Sequence, residues 1–191
     1  MIEAISKLVK GQHLSEPEAG EAMELILSGD ATPSQIAGFV IALRIKGETA
    51  EEIAGLARAL RAKATPLNVD GKNLLDTCGT GGDALGTFNI STLAAIVAAA
   101  CGARVAKHGN RAASSLCGSA DVLEALGVKI DLTPDGAVRC IEEVGIAFLF
   151  APIYHQGFRF AAVPRRELGV RTVFNVLGPL CNPAGARRQA L

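Results

Sequence analysis

The chain of 191 residues has no tryptophan, one tyrosine and seven phenylalanines, so aromatic side chains make up 4% of it. So few rings leave little with which to build a base-stacking platform for single-stranded nucleic acid. Neither charge is in excess: nineteen Lys and Arg balance nineteen Asp and Glu. No net field therefore draws nucleic acid or an anionic membrane, and any anion site must be local. There is no C-x-x-C pair. The cysteines at 78, 101, 117, 140 and 181 are odd in number and widely spaced, which argues against a disulfide framework or a zinc site and for reduced thiols in cytoplasm. Long apolar runs are missing too. The least polar stretch, 93–103, is short and alanine-rich, and charges interrupt the opening "MIEAISKLVKGQHL", so neither a membrane span nor a signal peptide is expected. Internal repeats and low-complexity segments are absent. What remains is a chain with 49% hydrophobic residues, able to bury a core as one domain or one domain with a small lobe.

The first 66 residues read as a helical lobe. Ile2, Ile5 and Val9 share a helical face before Gly11, and capping boxes follow at Ser15/Glu18, Thr32/Gln35 and Thr49/Glu52. Pro33 occupies a first helical position, while Gly29 and Gly47 stand where left-handed caps are expected. Ile36, Phe39, Val40 and Leu43, then Ile53, Leu56 and Leu60, supply apolar stripes. "KATPLNVDGK" is a connection. Strand and helix patterns then alternate: a strand in "NLLDTCG", a helix over 90–100, a strand in "ARVAKHG", a helix over 120–126, a helix capped by Thr133 and a strand in "IAFLFAP". This order predicts an α/β fold, a parallel sheet flanked by helices, over 71–164. From Glu167 the pattern predicts a helix ended by Gly178 and Pro179, with about 167–185 joining the helical lobe.

Two strand-to-helix loops carry the polar residues. In "LLDTCGTGGDALGTFNIST", Gly79, Gly81 and Gly82 have no Cβ to block successive amides from forming an anion nest. The following helix N-terminus, with Asn89, Ser91 and Thr92, adds donors and partial positive charge. A glycine cluster of this kind also fits a plain turn with an N-cap. Asp83 inside a nest would repel phosphate, and is better read as an acceptor for sugar hydroxyls, amides or Mg2+ waters. The loop is neither G-x-x-x-x-G-K-[ST] nor G-x-G-x-x-G. In "VAKHGNRAASSLCGSADVLEALG", Lys107 and Arg111 supply cations, Asn110 an amide and Ser114, Ser115 and Ser119 hydroxyls, a set suited to pyrophosphate. His108 reads as a loop histidine bonded to backbone, and Cys78 and Cys117 as small fillers.

"DTCGTGGD", "FNIST", "KHGNRAASS" with "GSADVLEALG", and "RRELGVRTVFNVLGPLCNPAGARRQ" together resemble the anthranilate phosphoribosyltransferase family. The resemblance implies that family's fold, shared with type II nucleoside phosphorylases, and transfer of the phosphoribosyl group of phosphoribosyl pyrophosphate (PRPP) to the amine of anthranilate. The cofactor it implies is Mg2+, the products are N-(5-phosphoribosyl)anthranilate and pyrophosphate, and the setting is tryptophan biosynthesis. By the same resemblance Gly79, Gly82, Asp83, Thr87, Asn89, Ile90, Ser91, Thr92, Lys107, Ser115 and Ser119 fall on PRPP-contacting positions. Ser91 falls on a metal ligand, and Gly79, Asn110 and Arg165 on anthranilate-contacting positions. A homodimer through the helical lobe is implied as well.

Two departures stand out. Where the family usually has His-Pro after the third strand, this chain has His155-Gln156, with proline displaced to Pro164, which implies an altered mouth to the anthranilate tunnel. The family also continues beyond "NPAGARRQ", and its Asp-Glu metal pair lies in that continuation, so a fragment with an incomplete sheet is expected. Two other readings remain: a pyrimidine nucleoside phosphorylase-like enzyme using inorganic phosphate, and a non-catalytic paralogue that binds nucleic acid.

Overall fold

The computed structural model describes residues 1–81, 88–112 and 117–191. It forms two compact units, Met1–Ala64 with His155–Leu180, and Thr65–Tyr154 with Cys181–Leu191.

The helical unit contains α1 (Ile2–Val9), α2 (Glu16–Ser28), α3 (Pro33–Lys46) and α4 (Ala50–Ala62). All three capping boxes form, each hydroxyl accepting from the third helical N–H while the side chain there reaches back to the cap N–H. Gly29 ends α2 in the left-handed conformation, φ 85° and ψ 10°. Gly47 has φ 88° but ψ 124°, so it does not form the expected left-handed cap. Ile36, Phe39, Val40, Leu43, Leu56 and Leu60 are buried. The face expected from Ile2 and Val9 is exposed, and Leu8 is the buried anchor of α1. Helices α2 and α4 approach closely at Gly55, where an added Cβ would lie 2.2 Å from the Glu16 carbonyl oxygen.

The chain re-enters this unit at His155, upstream of the expected 167, and leaves it at Leu180, short of 185. A 3-10 turn over Gln156–Ala161 packs on α2, and α9 (Ala162–Leu168) packs on α3. A Cβ at Gly157 would lie 2.5 Å from the Leu27 carbonyl oxygen, which shows how close the backbones come. Helix α10 (Val173–Leu180) contains both Gly178 and Pro179 instead of stopping before them. Pro179 is one residue from the helix end, so its missing N–H affects a single bond of the last turn, and its ring is buried with Leu177.

The α/β unit carries β1 (Leu74–Asp76), α5 (Ile90–Ala100), β2 (Arg104–Gly109), α6 (Ser119–Ala125), α7 (Pro134–Glu143), β3 (Ile146–Phe150), the short α8 (Ala151–Tyr154) and β4 (Arg188–Gln189). The strand order is β3-β2-β1-β4 and every pairing is parallel. Thr133 caps α7 by accepting from Gly136 N–H, with Pro134 in the first turn. Leu74, Ala106, Ala147, Leu149, Ala137, Ile141 and Tyr154 form the main core. Strand β4, which the sequence pattern did not suggest, is only two exposed residues long and gains its place by pairing with β1 through Leu75–Arg188 and Asp76–Gln189. Among the described residues no helix is long and apolar enough to cross a membrane.

Candidate functional site at the strand ends

Parallel strands deliver their carboxyl ends to one edge of the sheet, and here Leu75 of β1 pairs with Val105, so β2 runs on through Lys107 to Gly109 past the end of β1. Asp76 closes β1 and is fully buried. Its Oδ1 accepts from Cys78 N–H at 3.0 Å and from His108 N–H at 3.0 Å, so one oxygen ties the root of the first loop to β2. Burial raises the Asp76 pKa above the usual carboxylate value, against the opposing pull of the Asn182 amide, the His108 and Cys78 N–H groups and the Lys107 charge. Thr77 Oγ1 donates to the Ser91 carbonyl at 2.8 Å, tying the same loop root to α5.

Lys107 stands next to this knot on β2 with 2% exposure. Its Nζ lies 3.3 Å from Ser91 Oγ and 3.5 Å from the Thr77 carbonyl. Burial lowers its pKa, while the thiol of Cys78 and the carboxyl of Asp76 act in the other direction. Among the described residues its hydrogen-bond contacts are these two neutral oxygens, both long, so the buried ammonium gains from an added anion. Helix α5 opens beside it. Its N-cap Asn89 makes no side-chain cap hydrogen bond, unlike Ser15, Thr32, Thr49 and Thr133, and the N–H groups of Ile90 and Thr92 bond instead to the Phe88 and Asn89 carbonyls at 2.7 and 3.0 Å. Thr92 is buried in that turn, Ser91 half-buried, and Ile90 exposed. Among the described residues a Cβ at Gly79 or Gly81 would meet nothing within 4 Å, and Gly81 has φ +66°.

The second loop begins at Asn110, which is exposed, and ends at Ser119, the first residue of α6. The Asn110 carbonyl accepts from Ala120 N–H at 3.2 Å, which brings its two ends together. Arg111 is engaged elsewhere: its guanidinium bonds Asp121 at 3.1 Å and Glu124 at 2.7 and 3.0 Å, and lies over the Phe150 ring. It therefore does not add to the cationic character of the strand end as its sequence position suggested. His108 lies in β2 and is buried, not in the loop. Cys78 is buried with its thiol pushed up to about 12 by burial, which makes it inert, whereas Cys117 is exposed.

The structure thus brings Gly79, Asn89, Ile90, Ser91, Thr92, Lys107, Asn110 and Ser119 into the α/β unit, with Lys107 and Ser91 in direct contact. Gly82, Asp83, Thr87, Ser114 and Ser115 lie outside the described residues. Arg165 belongs to the helical unit, on α9. It is half-buried, its guanidinium 5.3 Å from the Phe158 ring centre and 6.0 Å from that of Phe174. Among the described residues no carboxylate pairs with it. Sequence reasoning passed over Asp76, Asp121 and Asn182. Asn182 Nδ2 donates to the Ala106 carbonyl at 2.8 Å and its Oδ1 accepts from Ala184 N–H at 2.9 Å, so the residues after α10 are anchored to β2.

Residues 2–64 match the helical bundle domain of the glycosyl transferase family and residues 71–191 match its a/b domain. The chain belongs to the glycosyl transferase family. Within this family, it is 63% identical over 182 residues to an anthranilate phosphoribosyltransferase of Moorella thermoacetica, covering 95% of this chain and 54% of the relative. The crystal structure of anthranilate phosphoribosyltransferase from Thermus thermophilus superposes with a TM-score of 0.91 at 54% identity, over 98% of this chain and 57% of that one. The enzyme from Saccharomyces cerevisiae in complex with PRPP and Mg superposes with a TM-score of 0.85 at 33% identity, over 96% and 55%. The chain spans about half the length of the curated relatives it matches.

Proposed function

We propose that the chain serves phosphoribosyl transfer from PRPP to the amine of anthranilate, yielding N-(5-phosphoribosyl)anthranilate and pyrophosphate in tryptophan biosynthesis. The observation that carries the reading is the buried Lys107 ammonium against Ser91 at the opening of α5. Breaking the bond from ribose C1 to pyrophosphate leaves negative charge on the departing oxygens, and a fixed, buried cation at a helix N-terminus stabilises that charge. The anthranilate amine is already a nucleophile, so the other substrate needs an anchor for its carboxylate more than a strong base. Arg165, held over two rings with no described acidic partner, suits that task. Relatives named as anthranilate phosphoribosyltransferases support the substrate pair.

Mg2+ fits this reading as a companion of the substrate. Among the described residues no cluster of His, Cys, Asp or Glu could hold a metal by itself, and the donor on hand is the Ser91 hydroxyl beside an ammonium. The hydroxyl could join the shell of a cation that arrives bound to phosphate oxygens, while the ammonium, which would repel a bare cation, would face those oxygens. Bound there, the ion would neutralise pyrophosphate further. The free cysteines suit a cytoplasmic setting, and the exposed Ile2, Val9 and Ile45 suit a homodimer through the helical unit.

Calorimetric titration of the chain with PRPP and Mg2+ tests the reading. Saturable binding that pyrophosphate competes away is the expected result. Preference for inorganic phosphate with a pyrimidine nucleoside would favour a nucleoside phosphorylase-like enzyme, and salt-sensitive DNA binding without PRPP binding would favour the nucleic-acid paralogue.

A further inference from the structure

We propose that Asp121 is a positioning residue that ties Ala112 to Gly118, holding Asn110 and Ser119 at the spacing on which PRPP binding depends. The substrate half of this proposal rests on the function proposed above.

Asp121 Oδ2 accepts from Gly118 N–H at 2.8 Å and from Ala112 N–H at 3.0 Å. The first bond is the ordinary reach of a third helical residue back to its own cap. The second is not, because Ala112 lies nine residues upstream on the far side of the loop. One carboxylate oxygen therefore clasps Ala112 and Gly118 together. Its other oxygen accepts from Arg111 at 3.1 Å, and Arg111 in turn is forked onto Glu124, so the clasp is braced against α6. The backbone packs to match. A Cβ on Gly118 would lie 2.3 Å from Ala112 N and 2.9 Å from the Asn110 carbonyl oxygen, so the two limbs touch backbone to backbone. The Asn110 carbonyl receives Ala120 N–H immediately below. The two N–H groups and then Arg111 hold the carboxyl below its ordinary range, so it stays ionised at neutral pH.

A residue that merely caps α6 and one that clasps the loop give different results in three variants. Asp121→Ala removes both bonds. Asp121→Asn keeps an oxygen that can accept both N–H groups. Asp121→Glu keeps the usual capping-box side chain but lengthens the reach across the loop. Amide exchange in the free protein is expected to accelerate about tenfold or more at Ala112 and Gly118 in Asp121→Ala, and the dissociation constant for PRPP with Mg2+ to rise about tenfold. Exchange at the β2 and β3 amides should not move. Asp121→Asn should recover most of both effects, and Asp121→Glu should recover Gly118 but not Ala112 or PRPP binding. Unchanged exchange at Ala112 in Asp121→Ala overturns the clasp, as does full recovery by Asp121→Glu. Faster exchange with unaltered PRPP affinity overturns the link to the substrate. A wild-type chain that binds no PRPP overturns the functional reading and the substrate half with it, while the exchange measurement still decides the clasp.

Discussion

Lys107 Nζ sits 3.3 Å from Ser91 Oγ, joining the end of β2 to the first turn of α5 through a buried ammonium. If PRPP binds there, the cation is the main electrostatic donor on the strand end. Lys107→Met keeps the length and apolar stem of the side chain and removes the charge. Losing a charge-assisted bond costs roughly 1.5–3 kcal/mol, so PRPP affinity should fall by about tenfold to a hundredfold while the far-UV spectrum is preserved. Ser91→Ala should cost less in the absence of Mg2+ than in its presence. Unchanged PRPP titration of Lys107→Met would remove the central support for the reading.

The same ammonium sets a pH dependence. Burial lowers the Lys107 pKa below 10.5, and an anionic ligand binds the charged form better. Affinity for PRPP therefore falls as pH rises through the lowered pKa, which lies below the ordinary lysine value of 10.5. Cys78 does not contribute this limb, because burial pushes its thiol up to about 12. Titrations run upward from neutral pH toward the ordinary lysine value of 10.5 should show the decline in wild type and none in Lys107→Met.

How much of this was legible in the sequence depended on the range of the interaction. Ser15, Thr32, Thr49 and Thr133 cap helices through partners three residues away, and each could be read from spacing. The alternating strands and helices followed from local periodicity for the same reason. What could not be read is nonlocal. Asp76 bonds His108 N–H, Asn182 bonds the Ala106 carbonyl and Asp121 bonds Ala112 N–H, and no local pattern marks a carboxylate or amide whose partner is a backbone atom far along the chain. Gly118 in place of Ser or Thr as N-cap also hid the reach of Asp121. Arg111 was misjudged because its neighbours in space, Asp121 and Glu124, come from the next helix. The helical turn after His155 escaped notice because Gln156 to Ala161 pack through close backbone approach at Gly157, which needs a small residue and no periodic stripe.

Glu52 shows a local signal with a nonlocal consequence. Its capping-box carboxylate is fully buried, with Oε2 accepting from Thr49 N–H at 2.8 Å and Lys46 at 2.9 Å, and Oε1 accepting from Leu14 N–H at 2.9 Å. Burial alone would raise its pKa, but the Leu14 and Thr49 N–H groups and Lys46 together lower it. Its contribution to stability is therefore present above about 4.5, the ordinary carboxyl value, and is lost as pH falls through the lowered pKa. Glu52→Ala leaves the buried Lys46 ammonium with the Gly47 carbonyl and His13 Nδ1 but no carboxylate, and should destabilise the helical unit by about 3 kcal/mol. Adding Lys46→Met should recover a substantial part of the loss, which urea unfolding of the two variants measures. Equal loss in the single and double variants would make the contribution one of packing alone.

Arg165 tests the other half of the proposed chemistry. Its guanidinium rests over Phe158 and Phe174, whose rings meet edge to face at 5.0 Å, so the planar group is held in place before any ligand arrives. Burial lowers its pKa, yet a guanidinium starts from so high a value that it stays charged at neutral pH. A fixed, charged fork suits a carboxylate, and an ammonium on a flexible stem does not reproduce it. Arg165→Ala should weaken anthranilate binding about tenfold or more, and Arg165→Lys should recover little of that loss, as followed by the fluorescence of anthranilate in the presence of saturating PRPP. PRPP affinity should stay near wild type in both variants, because the cation proposed to hold it is Lys107. If PRPP and anthranilate weakened by the same factor, Arg165 would be a packing residue of α9 on its two rings, and the carboxylate anchor would have to be sought elsewhere.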